Sequence, residues 1–147
     1  TGELALDYKE GLLVINAARA QGASGNFLRG KRVFTEDISV MSNMDNIHMV
    51  VVSLDGEGLA TSKRMLLQVM SEERATGFRV EDSPTGIWKI ADIGRDPWQV
   101  KTIEGKVAFK GPVQIQPLDF NGYPAGEKTT GAEIQLAPAT IYYLLTR

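Results

Sequence analysis

The sequence predicts an all-β fold, because short apolar-polar alternations recur along its 147 residues and helical periodicity is nearly absent. Glycine, proline, asparagine and aspartate separate these runs at short intervals, as turn-forming residues do between strands. The spacing indicates about ten to twelve short strands in an antiparallel β-sandwich or jelly-roll-like domain. We therefore expect residues 1–147 to form a single β-sandwich domain.

The first half of the chain supplies a hairpin and two more apolar runs. Two β-like runs, 1–8 and 12–17, flank a turn at 9–11. The run 49–54 is apolar on both faces, which is typical of a central strand covered on each side. The run 64–70 is similar, and its short length favours a strand over a helix.

The second half alternates more regularly. Val107 and Phe109, then Val113 and Ile115, are separated by more polar residues, which predicts strands with one buried face. Residues 132–136 alternate in the same way. A helix is expected only as a single turn near 71–74. The turn candidates are 55–58, 84–86, 104–105 and 121–122.

Composition excludes several classes of function. The formal charge of −2 and the scattered basic residues give no reason to expect a nucleic-acid partner. The chain has no cysteine, so disulfides and thiolate metal sites are excluded. No apolar run reaches the ~18–20 residues that a membrane-spanning helix requires. We expect no membrane partner and no cofactor.

The sequence contains no recognisable set of catalytic residues. His48 is the only histidine, and it shares the parity of an apolar strand, which favours a packing role. Zinc sites need three or four ligands, and the usual sets cannot be assembled from this chain. Adjacent carboxylates such as Glu72 and Glu73 point to opposite faces if they lie on strands. We therefore expect no catalytic residue and no metal site.

Aromatic side chains divide into expected core and candidate ligand contacts. Phe34, Phe78, Phe109 and Trp88 are expected to fill core, and one of the two rings at 142–143 to face inwards. Trp98 instead lies in a stretch whose Gly, Asp and Pro residues predict a loop.

A sugar presents a flat C–H face to an indole and hydroxyl groups to polar side chains. Trp98 is therefore our first candidate carbohydrate contact, with Arg95 and Asp96 beside it. Asn121 and Tyr123 are candidates in a second predicted loop. The alternative for Trp98 and for Tyr123 is a structural anchor that pins its own loop to the core.

One family resemblance spans nearly the whole chain. The order of short motifs resembles that of the β-sandwich accessory domains, similar to carbohydrate-binding modules, that follow the catalytic barrel of some bacterial polysaccharide-degrading glycoside hydrolases. The matching stretches are residues 2–8, 11–16, 19–22, 25–27, 51–56, 62–67, 74–77, 105–107, 118–124 and 134–145.

The resemblance implies a non-catalytic carbohydrate-binding accessory domain, excised from a larger multidomain enzyme that is itself a glycoside hydrolase. It also implies an extracellular or periplasmic location. The partners it implies are a polysaccharide or oligosaccharide and the catalytic domain of the parent enzyme.

Two alternatives remain open. In the first, the chain is a structural β-sandwich domain that stabilises the catalytic barrel without binding sugar, with Arg19 and Gln21 as candidate inter-domain packing residues. In the second, the chain is an independent lyase or hydrolase. Exposed Trp98 or Tyr123 favours sugar binding, whereas a contiguous exposed apolar patch favours the structural role.

Overall fold

The computed structural model describes residues 1–82 and 86–147, and this part of the chain contains β-strands and no helix. The all-β, antiparallel prediction is confirmed, and no single helical turn forms at 71–74. Pro84 and Thr85, from one expected turn, lie outside the described residues. The strands are β1 (Leu4–Asp7), β2 (Leu12–Ala17), β3 (Ala20–Gly25), β4 (Arg32–Phe34), β5 (Ile38–Met41), β6 (Ile47–Ser53), β7 (Arg64–Ser71), β8 (Glu73–Thr76), β9 (Arg79–Glu81), β10 (Lys89–Asp92), β11 (Arg95–Val100), β12 (Lys106–Leu118), β13 (Thr129–Gln135) and β14 (Tyr142–Thr146).

The strands fall into two compact units, where the sequence predicts one domain. The first unit comprises residues 1–70 and 103–147, and the second comprises residues 71–102. In the second unit β11 pairs with β8, and β10 pairs with β9, both antiparallel. The Lys101 N–H donates to the Glu72 carbonyl at 2.8 Å and closes the base of this unit.

The first unit is one ten-stranded sheet in the order β1-β2-β3-β6-β7-β14-β12-β5-β4, with β13 paired to β12. The expected runs on either side of Gly111 and Pro112 form a single strand, β12. Its register with β13 shifts between Ala108 and Val113. The first part of β12 pairs with β5 and the last part with β14, so this long strand joins two portions of the sheet.

Buried side chains show how the sheet curls into a half-barrel. Met49 on β6 and Leu67 on β7 belong to the same buried cluster as Val40 on β5 and Val107 on β12. In the strand order β6 is separated from β5 by β7, β14 and β12, so the sheet must bend to bring Met49 and Val40 into one cluster. Burial of these apolar surfaces supplies the main stabilisation of the unit.

Strand β6 is buried on one face more completely than on the other. Met49 and Val51 are fully buried, whereas Val50 and Val52 are half-buried. The apolar run at 49–54 thus forms a strand in the middle of the sheet order, as expected, but its outer face is only partly covered.

Glycine allows two close backbone contacts along β3. A Cβ atom on Gly22 would lie 2.1 Å from the Met49 carbonyl oxygen, and one on Gly25 would lie 2.0 Å from the Gly11 oxygen. Real Cβ atoms do not approach this closely, so both positions require glycine.

The core assignments of the aromatic residues are partly wrong. Phe109 is buried, and Tyr143 faces inwards while Tyr142 is half-buried, as expected. Phe34, however, is 71% exposed, because it lies on the terminal three-residue strand β4. Trp88 is 68% exposed and precedes the short strand β10 of the second unit.

Candidate functional site

Trp98 lies on a strand and not in the loop that the sequence predicts. It is on β11, opposite Ala75 of β8, and its side chain is 62% exposed. A structural anchor would be buried, so this exposure favours the ligand-contact interpretation.

Trp98 borders a cleft within the second unit, which we call the Trp98 cleft. It has a volume of about 340 Å3 and combines aromatic, aliphatic and charged side chains. Its lining residues are Glu72, Glu73, Arg74, Ala75, Phe78, Ile93 and Trp98.

Arg74 forms one wall of the Trp98 cleft, where it makes an ion pair with Glu72 and a cation–π contact with Phe78. The Arg74 guanidinium donates from Nε to Glu72 Oε1 at 2.7 Å and also from Nη2 to the same oxygen. The guanidinium carbon also lies 5.7 Å from the centre of the Phe78 ring, within the range of a cation–π contact. Glu72 and Arg74 thus neutralise one another.

Glu73 differs from Glu72 in having no partner. Its side chain is exposed, and its carboxylate makes no ion pair or hydrogen bond with any described residue. Sequence reasoning missed Glu73, Arg74 and Phe78 as site residues. Period-two spacing alone could not find them, because the pairing of β8 with β11 brings Glu73 and Arg74 towards Trp98, and Phe78 lies in the turn that follows β8.

Arg95 and Asp96 are exposed on β11 close in sequence to Trp98. The register with β8 shifts between Arg95 and Trp98, and the Thr76 hydroxyl donates to the Pro97 carbonyl at 2.6 Å across this irregularity. Neither Arg95 nor Asp96 is among the residues that line the Trp98 cleft.

Asn121 and Tyr123 belong to the first unit, whereas Trp98, Arg95 and Asp96 belong to the second. One carboxylate oxygen of Asp119 accepts hydrogen bonds from the Asn121 and Tyr123 N–H groups, both at 2.9 Å. This tight turn leaves the Tyr123 side chain 69% exposed. Tyr123 therefore does not anchor its loop to the core.

A second cleft in the same unit, the Gln99 cleft, has a volume of about 720 Å3 and no aromatic lining. Gln99 pairs with Arg74 in register. Because consecutive strand residues point to opposite faces, Gln99 and Trp98 lie on opposite faces of the β8–β11 ladder. The lining residues are Glu72, Arg74, Gln99, Val100, Lys101 and Thr102.

Arg19 and Gln21, the candidate packing residues, have different environments. Arg19 is exposed in the turn between β2 and β3, but Gln21 is fully buried. Its amide group bonds to Thr35 and Asp37 within the first unit. Gln21 therefore offers no surface to another domain, and this assignment is corrected.

The outer face of the first unit carries an apolar surface. Cross-strand register aligns Leu4 with Ile15 and Leu6 with Leu13 on one face of β1 and β2. Leu4 and Leu6 are 66% and 68% exposed. We call these four side chains the outer apolar face.

His48 makes one side-chain contact of chemical interest. Its Nδ1 lies 2.6 Å from the Ser24 hydroxyl on the neighbouring strand β3. A serine–histidine pair needs an orienting group and an oxyanion site for acyl transfer. Among residues 1–82 and 86–147, no carboxylate forms a hydrogen bond with His48. The same residues contain no group of three or more side chains that could hold a metal ion.

The chain matches no protein-family model, no curated protein and no solved structure. The described residues also include no helix that is long and apolar enough to span a membrane.

Proposed function

We propose that this chain is a non-catalytic carbohydrate-binding accessory domain, in which the Trp98 cleft contacts a polysaccharide. The observation that carries the proposal is the indole of Trp98, which is 62% exposed at the border of a cleft with charged hydrogen-bonding groups. A rigid aromatic face gives a large contact area at low conformational cost. Carboxylate and guanidinium groups beside it offer acceptors and donors to sugar hydroxyls.

The parent enzyme, a glycoside hydrolase acting outside the cytoplasm, is part of the same proposal and rests on the motif resemblance. We propose that the curled sheet of the first unit is a variant of the β-sandwich found in such accessory domains. One buried cluster drawing on β5, β6, β7 and β12 supports this relationship.

Affinity electrophoresis through gels containing immobilised polysaccharides tests the proposed function. The full chain should be retarded by at least one polysaccharide, and Trp98→Ala should weaken that binding about 30-fold, as expected for removal of a dominant aromatic contact. Trp88→Ala is the matched control, because Trp88 is similarly exposed in the same unit but lines neither cleft. Equal losses in both variants, or none, contradict the proposal.

The outer apolar face favours a second candidate function, a structural domain that packs on the catalytic domain of its parent. Leu4 and Leu6 lie exposed on the edge strand β1. A protein surface that stays in contact with water seldom carries exposed leucines on an edge strand. Hydrogen exchange of the full-length parent chain tests this role. Amides of β1 and β2 should exchange more slowly in the parent than in the isolated chain, whereas amides of β13 should not change.

A further inference from the structure

The Trp98 cleft contains one charge that its internal contacts leave unbalanced. Glu72 and Arg74 form an ion pair and cancel one another. Glu73 is the remaining ionisable residue among those that line the cleft, and its carboxylate has no partner among the described residues. Among the residues that line the cleft, Glu73 therefore supplies the net charge.

Strand register places Glu73 and Trp98 on the same face of the β8–β11 ladder. Glu73 is the cross-strand partner of Val100, and Ala75 is the cross-strand partner of Trp98. These are successive pairs on the same face of the β8–β11 ladder. Diagonal neighbours on an antiparallel pair lie ~7–8 Å apart at the backbone, within reach of long side chains. A sugar ring stacked on Trp98 thus lies within reach of the Glu73 carboxylate.

We propose that Glu73 is a specificity-determining residue, which selects uncharged glycans and excludes anionic ones such as uronates. This inference rests on the proposed function, because it needs a glycan at Trp98. An ionised carboxylate accepts hydrogen bonds from neutral sugar hydroxyls but offers no donor to another carboxylate. A uronate in the same position meets like-charge repulsion that Arg74, whose charge is balanced by Glu72, does not offset.

The expected discrimination is moderate, because the cleft is open to solvent. Two like charges ~5 Å apart near a protein surface repel one another measurably. We expect the chain to bind a neutral glycan about tenfold more tightly than its carboxylated counterpart at low salt. The difference should shrink as added salt screens exposed charges.

The test uses the full chain and matched pairs of polysaccharides. Hydroxyethylcellulose, glucomannan and galactan are each compared with a preparation in which C6 hydroxymethyl groups have been oxidised to carboxylates. The wild-type chain should be retarded more strongly by a neutral member than by its oxidised form. Glu73→Gln, which preserves shape and an acceptor oxygen, should retain neutral binding and bring the two affinities to within about twofold, corresponding to ~0.4 kcal/mol.

Two control variants isolate the effect. Glu81→Gln removes a carboxylate from β9 of the same unit without altering the cleft lining and should keep the wild-type preference. Gln99→Ala alters the other face of the ladder and should also keep it. An oxidised member bound as tightly as its neutral form by the wild-type chain, or an unchanged preference in Glu73→Gln, overturns the role of Glu73 alone. Retention by no polysaccharide, neutral or oxidised, overturns the proposed function as well.

Discussion

Gln21 and Asp37 connect strand β3 to the turn before β5 through a buried pair of hydrogen bonds. Gln21 Nε2 donates to Asp37 Oδ2 at 2.8 Å, and the Asp37 N–H donates to Gln21 Oε1 at 2.8 Å. The Thr35 hydroxyl donates to the same amide oxygen at 2.9 Å. Strands β3 and β5 are not paired in the sheet, so these bonds hold the curled sheet together where no backbone ladder does.

Replacement of Gln21 should therefore destabilise the first unit strongly. In Gln21→Ala the Asp37 N–H and Asp37 Oδ2 lose their hydrogen-bond partner, while Oδ1 keeps its ion pair with Lys110. Each unsatisfied buried group costs about 1–3 kcal/mol. We expect the free energy of unfolding to fall by about 3 kcal/mol, measured by urea denaturation. The control is Gln68→Ala on β7, an exposed glutamine whose loss should change stability by less than about 0.5 kcal/mol. Similar values for the two variants would contradict the bridging role.

Tyr143 should make stability sensitive to alkaline pH. Burial raises the pKa of its phenol, an effect that hydrogen bonds with the Ala137 N–H and the Thr140 side chain only partly offset. The folded-state pKa lies above the unfolded value of about 10, so the neutral phenol of Tyr143 contributes fully to stability below pH 10. That contribution is lost as the pH rises through the folded-state pKa.

Tyr143→Phe should remove that alkaline dependence. At neutral pH it should also lower the free energy of unfolding by about 1 kcal/mol, because the Ala137 N–H loses the acceptor that it has at 2.8 Å. Urea denaturation at neutral pH and above about pH 10 measures both effects. Tyr142→Phe, at the adjacent half-buried position, controls for loss of a hydroxyl. A wild-type chain as stable above pH 10 as at neutral pH would speak against this prediction.

Asp55 should contribute to stability in the acid range. Partial desolvation raises the pKa of its carboxyl, but hydrogen bonds from Ser62, Lys63, Ser53 and Glu57 outweigh this effect and hold the pKa well below its usual range. The contribution is therefore fully present above the unfolded-state pKa of about 3.9 and is lost as the pH falls through the folded-state value.

Asp55→Asn should accordingly flatten the acid limb of the stability curve. The melting temperature of the wild-type chain should fall more steeply than that of the variant as the pH is lowered below about 4. Asp119→Asn, which alters a carboxylate that caps the turn at 119–123, is the control for loss of a loop carboxylate. Parallel curves for wild type and Asp55→Asn would show that these hydrogen bonds do not matter for folding.

Trp98→Ala should leave the melting temperature nearly unchanged, because a side chain that is 62% exposed contributes little to the core. Phe27→Ala is the contrasting variant, since Phe27 is fully buried and its truncation should cost about 3–5 kcal/mol. Thermal unfolding of both variants measures the difference. A loss in Trp98→Ala as large as that in Phe27→Ala would identify Trp98 as a structural anchor.

The strands were largely predictable from local pattern, and the boundaries of some were not. The N-terminal hairpin and the runs at 49–54 and 64–70 become strands, because alternation and turn residues act over a few neighbouring positions. The runs on either side of Gly111 merge into β12, because pairing with β5, β13 and β14 keeps the chain extended through the register shift.

Sequence by itself determined the all-β class, the antiparallel hairpin at the start of the chain and the fact that one of the two rings at 142–143 faces inwards. These depend on period-two geometry, which the residues encode directly. Tertiary structure alone decided that Gln21 is buried and Phe34 exposed, and that Glu73 lies beside Trp98. The reason is physical: burial and juxtaposition depend on which strands pair and how the sheet curls, and those contacts join residues far apart in the chain.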